Sequence, residues 1–297
     1  MVKAGIVDFD TSHALQFTMR FNHQGIAEDQ WVDGVQVVAG LPGQAAPGNE
    51  ERQAEFVKKC HEYGVKMVDS VEALMKEIDV VMVESLEGGR HLERARPFLE
   101  AGMRVFVDKP FADNIPDAEA MAELAEKHGA PLMAGSALRY VLEIQDLRAR
   151  AAETGKVLSA SVYSPSKPLG DVPALVNYGC HSVELLYAIL RGGCRDVSSV
   201  SAETLQSVTG RWADGRAGVV LGVQEGKAGF GFSAFCENAT VIKPIDFTYG
   251  YRELLKEMSA FFNTGKPPIP VSESVEVVRF ISKALESADQ QGKPVAL

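Results

Sequence analysis

Asp108, Lys109 and Pro110 end an apolar run, Val105-Phe106-Val107, and place a carboxylate and an ammonium where a strand must stop. Proline cannot continue a strand ladder, so the chain turns there, and the Lys109–Pro110 bond is a candidate for the cis form. A lysine at such an end is held by the sheet and aimed into the crevice where open α/β sheets bind ligands. Asp8, Asp10 and His13 are a second grouping, with the oxygen and nitrogen donors of a metal site. Asp10, Thr11 and Ser12 also have the chemistry of a helix cap, where the helix dipole favours acidic groups. The cap is the reading taken, and no metal site is expected. Glu84, Ser85 and Glu87 follow a further apolar run and are candidate ligand contacts. Arg139 could hold an anionic substrate group or pair with a carboxylate.

These residues need a frame. Lys3–Val7 reads as a strand, and Thr11 or Ser12 caps a helix through about Asn22. Strands are expected over Val35–Ala39, Lys66–Val68, Asp79–Val83, Arg104–Val107 and Pro131–Ala134, with helices between them. Asn114 is placed to cap the helix Ile115–His128, and Gly129 to end it. Pro97 should kink the helix Leu92–Ala101 or mark its first turn. Short connections and strands apolar throughout mean a parallel sheet covered on both faces. Residues 1–135 are therefore expected to form a Rossmann-like, doubly wound domain.

The pattern changes at Ser136. A helix, Val141–Glu153, leads into runs of alternating polarity at Val157–Tyr163, Val197–Leu205, Ala217–Gln224, Gly229–Cys236 and Ala239–Ile245. Alternation with turn residues means a mainly antiparallel sheet with one open face. Helices Pro173–Arg191, Tyr251–Asn263 and Glu273–Gln290 complete an α+β domain over 136–297. Phe230, Phe232 and Phe235 are expected to pack the sheet.

A chain of 297 residues, 46% hydrophobic and 24% charged, suits two globular domains. Its net charge of −10 argues against a nucleic-acid partner, whose phosphates need a basic face. No apolar run reaches the roughly 18 residues of a membrane span, and the N-terminus reads as a strand, not a signal peptide. Cys60, Cys180, Cys194 and Cys236 lack paired spacing and read as reduced thiols of a cytoplasmic protein.

With Val107-Asp108-Lys109-Pro110 between two such halves, the chain resembles the Gfo/Idh/MocA oxidoreductases, which carry Glu-Lys-Pro at this place. His91, Leu138-Arg139-Tyr140, Gly155-Lys156-Val157-Leu158, Gly179-Cys180-His181 and the loop Gly265–Val271 resemble further family segments in the family's order. The resemblance implies a nicotinamide-dependent dehydrogenase of a sugar, inositol or related polyol, using NAD or NADP. It implies a lysine, Lys109, that hydrogen-bonds the reacting hydroxyl, and a histidine, His181, that acts as general acid or base. Imidazole suits that task because its ordinary pKa is near neutrality. Phe9, Asp10, Thr11, Ser12, His13, Ser85, Asp108 and Lys109 fall on the cofactor side. Lys109, Arg139 and His181 fall on the substrate side, in the interdomain crevice. Homo-oligomers built through the C-terminal sheet are also implied.

Three departures qualify this. No glycine of the dinucleotide fingerprint is present in Asp8-Phe9-Asp10-Thr11-Ser12-His13. The second strand ends in Gly40, where an acidic residue usually meets the ribose. The family's catalytic aspartate falls on Asn177, which can orient His181 but cannot stabilise its cation as a carboxylate does. Dinucleotide binding by the usual pyrophosphate route is therefore expected to be weak or absent. The alternatives are a carbohydrate- or nucleotide-binding sensor on the same fold, and an NAD-assisted lyase or glycosidase.

Overall fold

A computed structural model describes residues 1–168 and 170–297. The first half alternates strand and helix: β1 (Val2–Val7), α1 (Ser12–Phe21), β2 (Val35–Leu41), α2 (Glu50–Glu62), β3 (Lys66–Met67), α3 (Val71–Met75), β4 (Val80–Val83), α4 (His91–Glu100), β5 (Arg104–Val107), α5 (Ile115–His128) and β6 (Leu132–Ala134). All six strands are parallel, in the order β3-β2-β1-β4-β5-β6. Every residue of β4 is buried, as a central strand covered on both faces requires. The order reverses between β1 and β4, which opens a crevice at their carboxyl ends.

Local chemistry sets the helix ends. Thr11 Oγ1 accepts from the His13 N–H and starts α1. Asn114 Oδ1 accepts from Asp117 N at 2.9 Å, and Gly129 takes the left-handed conformation that ends α5. Pro97 lies inside α4 and not in its first turn, and the helix runs on to Glu100. The Lys109–Pro110 peptide is cis.

The second half contains α6 (Leu142–Ala149), α7 (Ala151–Thr154), β7 (Val157–Pro165), α8 (Ala174–Asn177), α9 (Cys180–Leu190), β8 (Cys194–Ser201), β9 (Leu205–Trp212), β10 (Ala217–Val223), β11 (Gly231–Cys236), β12 (Thr240–Pro244), α10 (Gly250–Thr264), α11 (Val271–Asp289) and β13 (Val295–Ala296). The sheet order is β12-β11-β7-β10-β9-β8-β13, antiparallel except for the parallel pair β7·β10. Helix α9 is buried almost all round, and Leu186 and Leu190 lie against Gly218 of β10.

Two expected helices are each broken, and one expected strand is really a hairpin. Gly179 separates α8 from α9, because a Cβ there would lie 2.8 Å from the Leu175 backbone. Arg150 separates α6 from α7. The run expected as one strand over Val197–Leu205 turns at 202–204, where Ala202 N bonds Leu205 O, and β9 returns beside β8. That turn has no Gly, Pro or Asn to announce it.

The chain forms two compact units. One comprises Met1–Gly135 with Tyr251–Ser272, the other Ser136–Gly250 with Glu273–Leu297. No helix among the described residues is long and apolar enough to cross a membrane.

Candidate active site

In the first unit, residues expected on the cofactor side gather at the carboxyl ends of β1, β4 and β5. Their polar groups close on one another. Asp8 has a left-handed backbone, φ +64, and its Oδ2 accepts from Ser85 Oγ at 2.6 Å and Arg94 Nε at 3.1 Å. Burial pushes its carboxyl pKa up, against the opposing pull of Ser85 and Arg94. Asp10 Oδ2 accepts from Ala46 N at 3.0 Å and its Oδ1 from Leu86 N at 2.9 Å. Asp10 therefore braces two loops and does not cap α1; Thr11 does. Thr11 Oγ1 also donates to the Glu84 carbonyl, and Ser12 is the half-buried first residue of α1. Phe9 is fully buried, and a Cβ at Gly40 would overlap its ring. His91 has its ring nitrogens near the Ser85 and Phe111 carbonyls, a brace inside the unit.

His13 leaves the Asp8-Asp10 grouping altogether. Its Nδ1 lies 2.6 Å from Asp108 Oδ2 and 3.9 Å from Glu84 Oε2. Lys109 Nζ lies 3.8 Å from the same Asp108 oxygen, with the lysine side chain 13% exposed. Burial alone would raise the Asp108 pKa, but His13 and Lys109 outweigh it and hold this carboxyl well below the usual range. Burial and the Asp108 charge push Glu84 the other way, well above its ordinary value.

A dinucleotide laid on this loop in the usual way does not fit the residues present. The loop has none of the fingerprint glycines, the His13 N–H already serves Thr11, and the Phe9 ring occupies the space at Gly40. A cavity of about 200 Å³ opens beside Asp8, Gly43 and Arg94. It is smaller than the roughly 300–1,000 Å³ of ordinary small-molecule sites.

In the second unit, His181 is the only residue of α9 that is not buried. Its Nδ1 lies 2.7 Å from Ser136 Oγ, and Tyr178 and Phe230 flank the ring at centroid distances of 5.0 and 6.1 Å. Asn177, expected to orient His181, instead donates its amide to the Lys167 carbonyl at 3.0 Å. Ser136 and Phe230 were not legible as site residues. Phe232 packs the sheet as expected, but Phe230 lies beside His181 and Phe235 is 45% exposed. Arg139 takes the second of its two expected roles, pairing with carboxylates. It is 1% exposed, its Nε donates to Glu184, and its Nη1 donates to Glu273 at 2.5 Å. Burial alone would lower its pKa, but the two carboxylates outweigh it and hold the guanidinium protonated.

The family model described as an oxidoreductase family with an NAD-binding Rossmann fold, Gfo/Idh/MocA, matches residues 43–136. The UDP-N-acetylglucosamine 3-dehydrogenase of Acidithiobacillus ferrooxidans is 27% identical over 153 residues, which are 51% of this chain and 48% of that one. The chain thus spans less than half the length of the curated relatives it matches. The myo-inositol dehydrogenase of Corynebacterium glutamicum has the same fold over all of this chain and 99% of its own, with a TM-score of 0.80 and 16% identity. The scyllo-inositol dehydrogenase of Lactobacillus casei, solved with NAD(H) and scyllo-inositol, gives 0.79 and 12% over 100% and 99%. Residues 43–136 thus match the Gfo/Idh/MocA oxidoreductase family model, and the whole chain has the fold of solved inositol dehydrogenases.

Proposed function

We propose that the protein is a nicotinamide-type oxidoreductase acting on a hydroxyl of a sugar, inositol or related polyol. Lys109 of the first unit and His181 of the second are the residues to which the resemblance gives the chemistry. The observation that carries this reading is the setting of His181, a half-open imidazole on an otherwise buried helix, tethered at Nδ1. With Nδ1 at Ser136, Nε2 is the ring nitrogen assigned the proton transfer to or from an alcohol. A hydroxyl partner can donate or accept, so Ser136 holds the ring without fixing its charge as a carboxylate would. An ammonium such as that of Lys109 favours the deprotonated form of a hydroxyl to which it donates. Tyr178 and Phe230 offer ring faces to the C–H side of a sugar. The match of residues 43–136 to an NAD-binding Rossmann family model supports NAD or NADP as the hydride carrier. The closed β1–α1 loop excludes its usual seat, so no step is assigned to it.

That same loop favours a second reading, a carbohydrate-binding protein without redox turnover. In both readings the chain pairs with a copy of itself through the open face of the second sheet. Val200, Phe235 and Ile242 stand there 63%, 45% and 68% exposed.

Calorimetry or thermal shift with NAD, NADH, NADP and NADPH, joined to a polyol turnover panel, separates the two. A ligand at 100 times its Kd adds about 2.7 kcal/mol of stability. Nucleotide binding with turnover supports the oxidoreductase. Sugar binding with no nucleotide binding supports the second reading, and neither kind of binding ends both.

A further inference from the structure

We propose that His13, Glu84 and Asp108 form a binding site for a divalent transition-metal ion at the switch point of the first sheet. The inference does not rest on the oxidoreductase reading. The three side chains come from the first turn of α1 and from the residues directly after β4 and β5. One donor atom from each lies within 4.8 Å of the other two. All three residues are buried, Glu84 and Asp108 to 0% and 1% exposure.

What points to a ligand is Glu84. Both of its carboxylate oxygens lack a hydrogen-bond partner, and so does Asp108 Oδ1. Buried polar atoms are normally bonded, and buried charges are paired or bind metals. Asp108 Oδ2 has His13 in hydrogen-bond range and Lys109 at 3.8 Å, whereas the imidazole is 3.9 Å from Glu84, too far for a hydrogen bond. An ion between the three would meet all the unpartnered oxygens at once.

The donor set selects the kind of ion. One imidazole nitrogen and two carboxylate oxygens suit zinc, manganese, iron or cobalt better than calcium, which takes about 6–8 oxygens. Metal–ligand bonds of about 2.0–2.2 Å hold neighbouring donors roughly 3–3.5 Å apart. The present separations from His13 Nδ1, 2.6 Å to Asp108 and 3.9 Å to Glu84, bracket that spacing. Small side-chain shifts bring all three to one ion. The imidazole is held for the task, stacked on Phe17 at 5.1 Å and edge-on to Tyr251 at 5.1 Å. Three protein ligands leave a position for water or a ligand hydroxyl, as in catalytic metal sites.

Chelator-treated, tag-free protein titrated with manganese, zinc and cobalt chlorides tests this. Calorimetry gives the stoichiometry, and the visible spectrum of cobalt reports the ligand field. One ion per chain is expected, with cobalt showing a bound-state spectrum. Affinity should fall at least about tenfold in Glu84→Gln and in His13→Gln. Melting curves establish that each variant is folded. If either variant fails to fold, the other and the wild-type titration decide. No binding to wild type, or equal binding to a folded Glu84→Gln, overturns the site and leaves the trio as a proton-sharing cluster.

Discussion

Ser136 Oγ lies 2.7 Å from His181 Nδ1, so the imidazole is held by a hydroxyl, while the Asn177 amide donates to a backbone carbonyl. The same Ser136 oxygen accepts from Leu138 N at 3.2 Å and so also shapes the turn before α6. Ser136→Ala should lower polyol turnover about tenfold, part of the ~10²–10⁴ that acid–base catalysis supplies. It should also cost about 1 kcal/mol through the lost cap. Asn177→Asp removes the donor to the Lys167 carbonyl and should bring no gain in turnover. Rates that do not respond to Ser136→Ala, measured from about pH 6 to 10, would remove His181 from the chemistry.

Arg139 is a stability residue. Replacing it with Met strands Glu184 and Glu273 in the core of the second unit. Breaking a buried ion pair in this way costs about 3–5 kcal/mol, which urea unfolding reads directly. Adding Glu184→Gln and Glu273→Gln should recover most of the loss. A raised KM with unchanged stability would instead return Arg139 to substrate binding.

Restoring the family's acidic residue after the second strand should fail. Any side chain at Gly40 meets the buried Phe9 ring, so Gly40→Asp is expected to destabilise by about 1–3 kcal/mol, as overpacking does. It should bring no gain in NAD affinity. A stable Gly40→Asp protein that binds NAD would show that the Phe9 ring swings aside.

Asp8 supplies a pH test with a definite sign. Its native pKa lies above the unfolded value because of burial. The folded state therefore binds this proton more tightly, and stability falls as pH rises from about 4 through the raised native pKa. Asp8→Asn removes that slope and tolerates the left-handed backbone. Thermal melts of both proteins should converge at low pH and separate above it, with the variant the more stable. Parallel curves would refute the sign. The variant also lifts one charge from the phosphate side of the loop without disturbing Asp10, whose two backbone bonds make Asp10→Gly a structural lesion.

The open sheet face predicts self-association. Sedimentation at micromolar concentration should show at least a dimer, and Ile242→Lys with Phe235→Glu should dissociate it. A monomeric wild type ends this claim and leaves the fold as it is.

The parallel first sheet was legible because its signals are local. Continuous apolar strands, Thr11 and Asn114 at helix starts, and Gly129 in a left-handed turn each act within a few residues. The place of Lys109 at a strand end followed from the proline beside it. The partners of the reactive groups were not legible, because they are set by strand order. His13 and Asp108 are 95 residues apart and meet only because α1 follows β1, with β4 and β5 beside it in the sheet. Ser136 and His181 are 45 apart, and no residue near either announces the other. Arg139 looks in sequence like a ligand-binding cation and becomes a core residue once α9 and α11 bring Glu184 and Glu273 to it. Sequence determines which residues can carry a charge or a proton. Burial and the neighbours delivered by the fold decide which of them are already satisfied, and in Glu84 they leave one that is not.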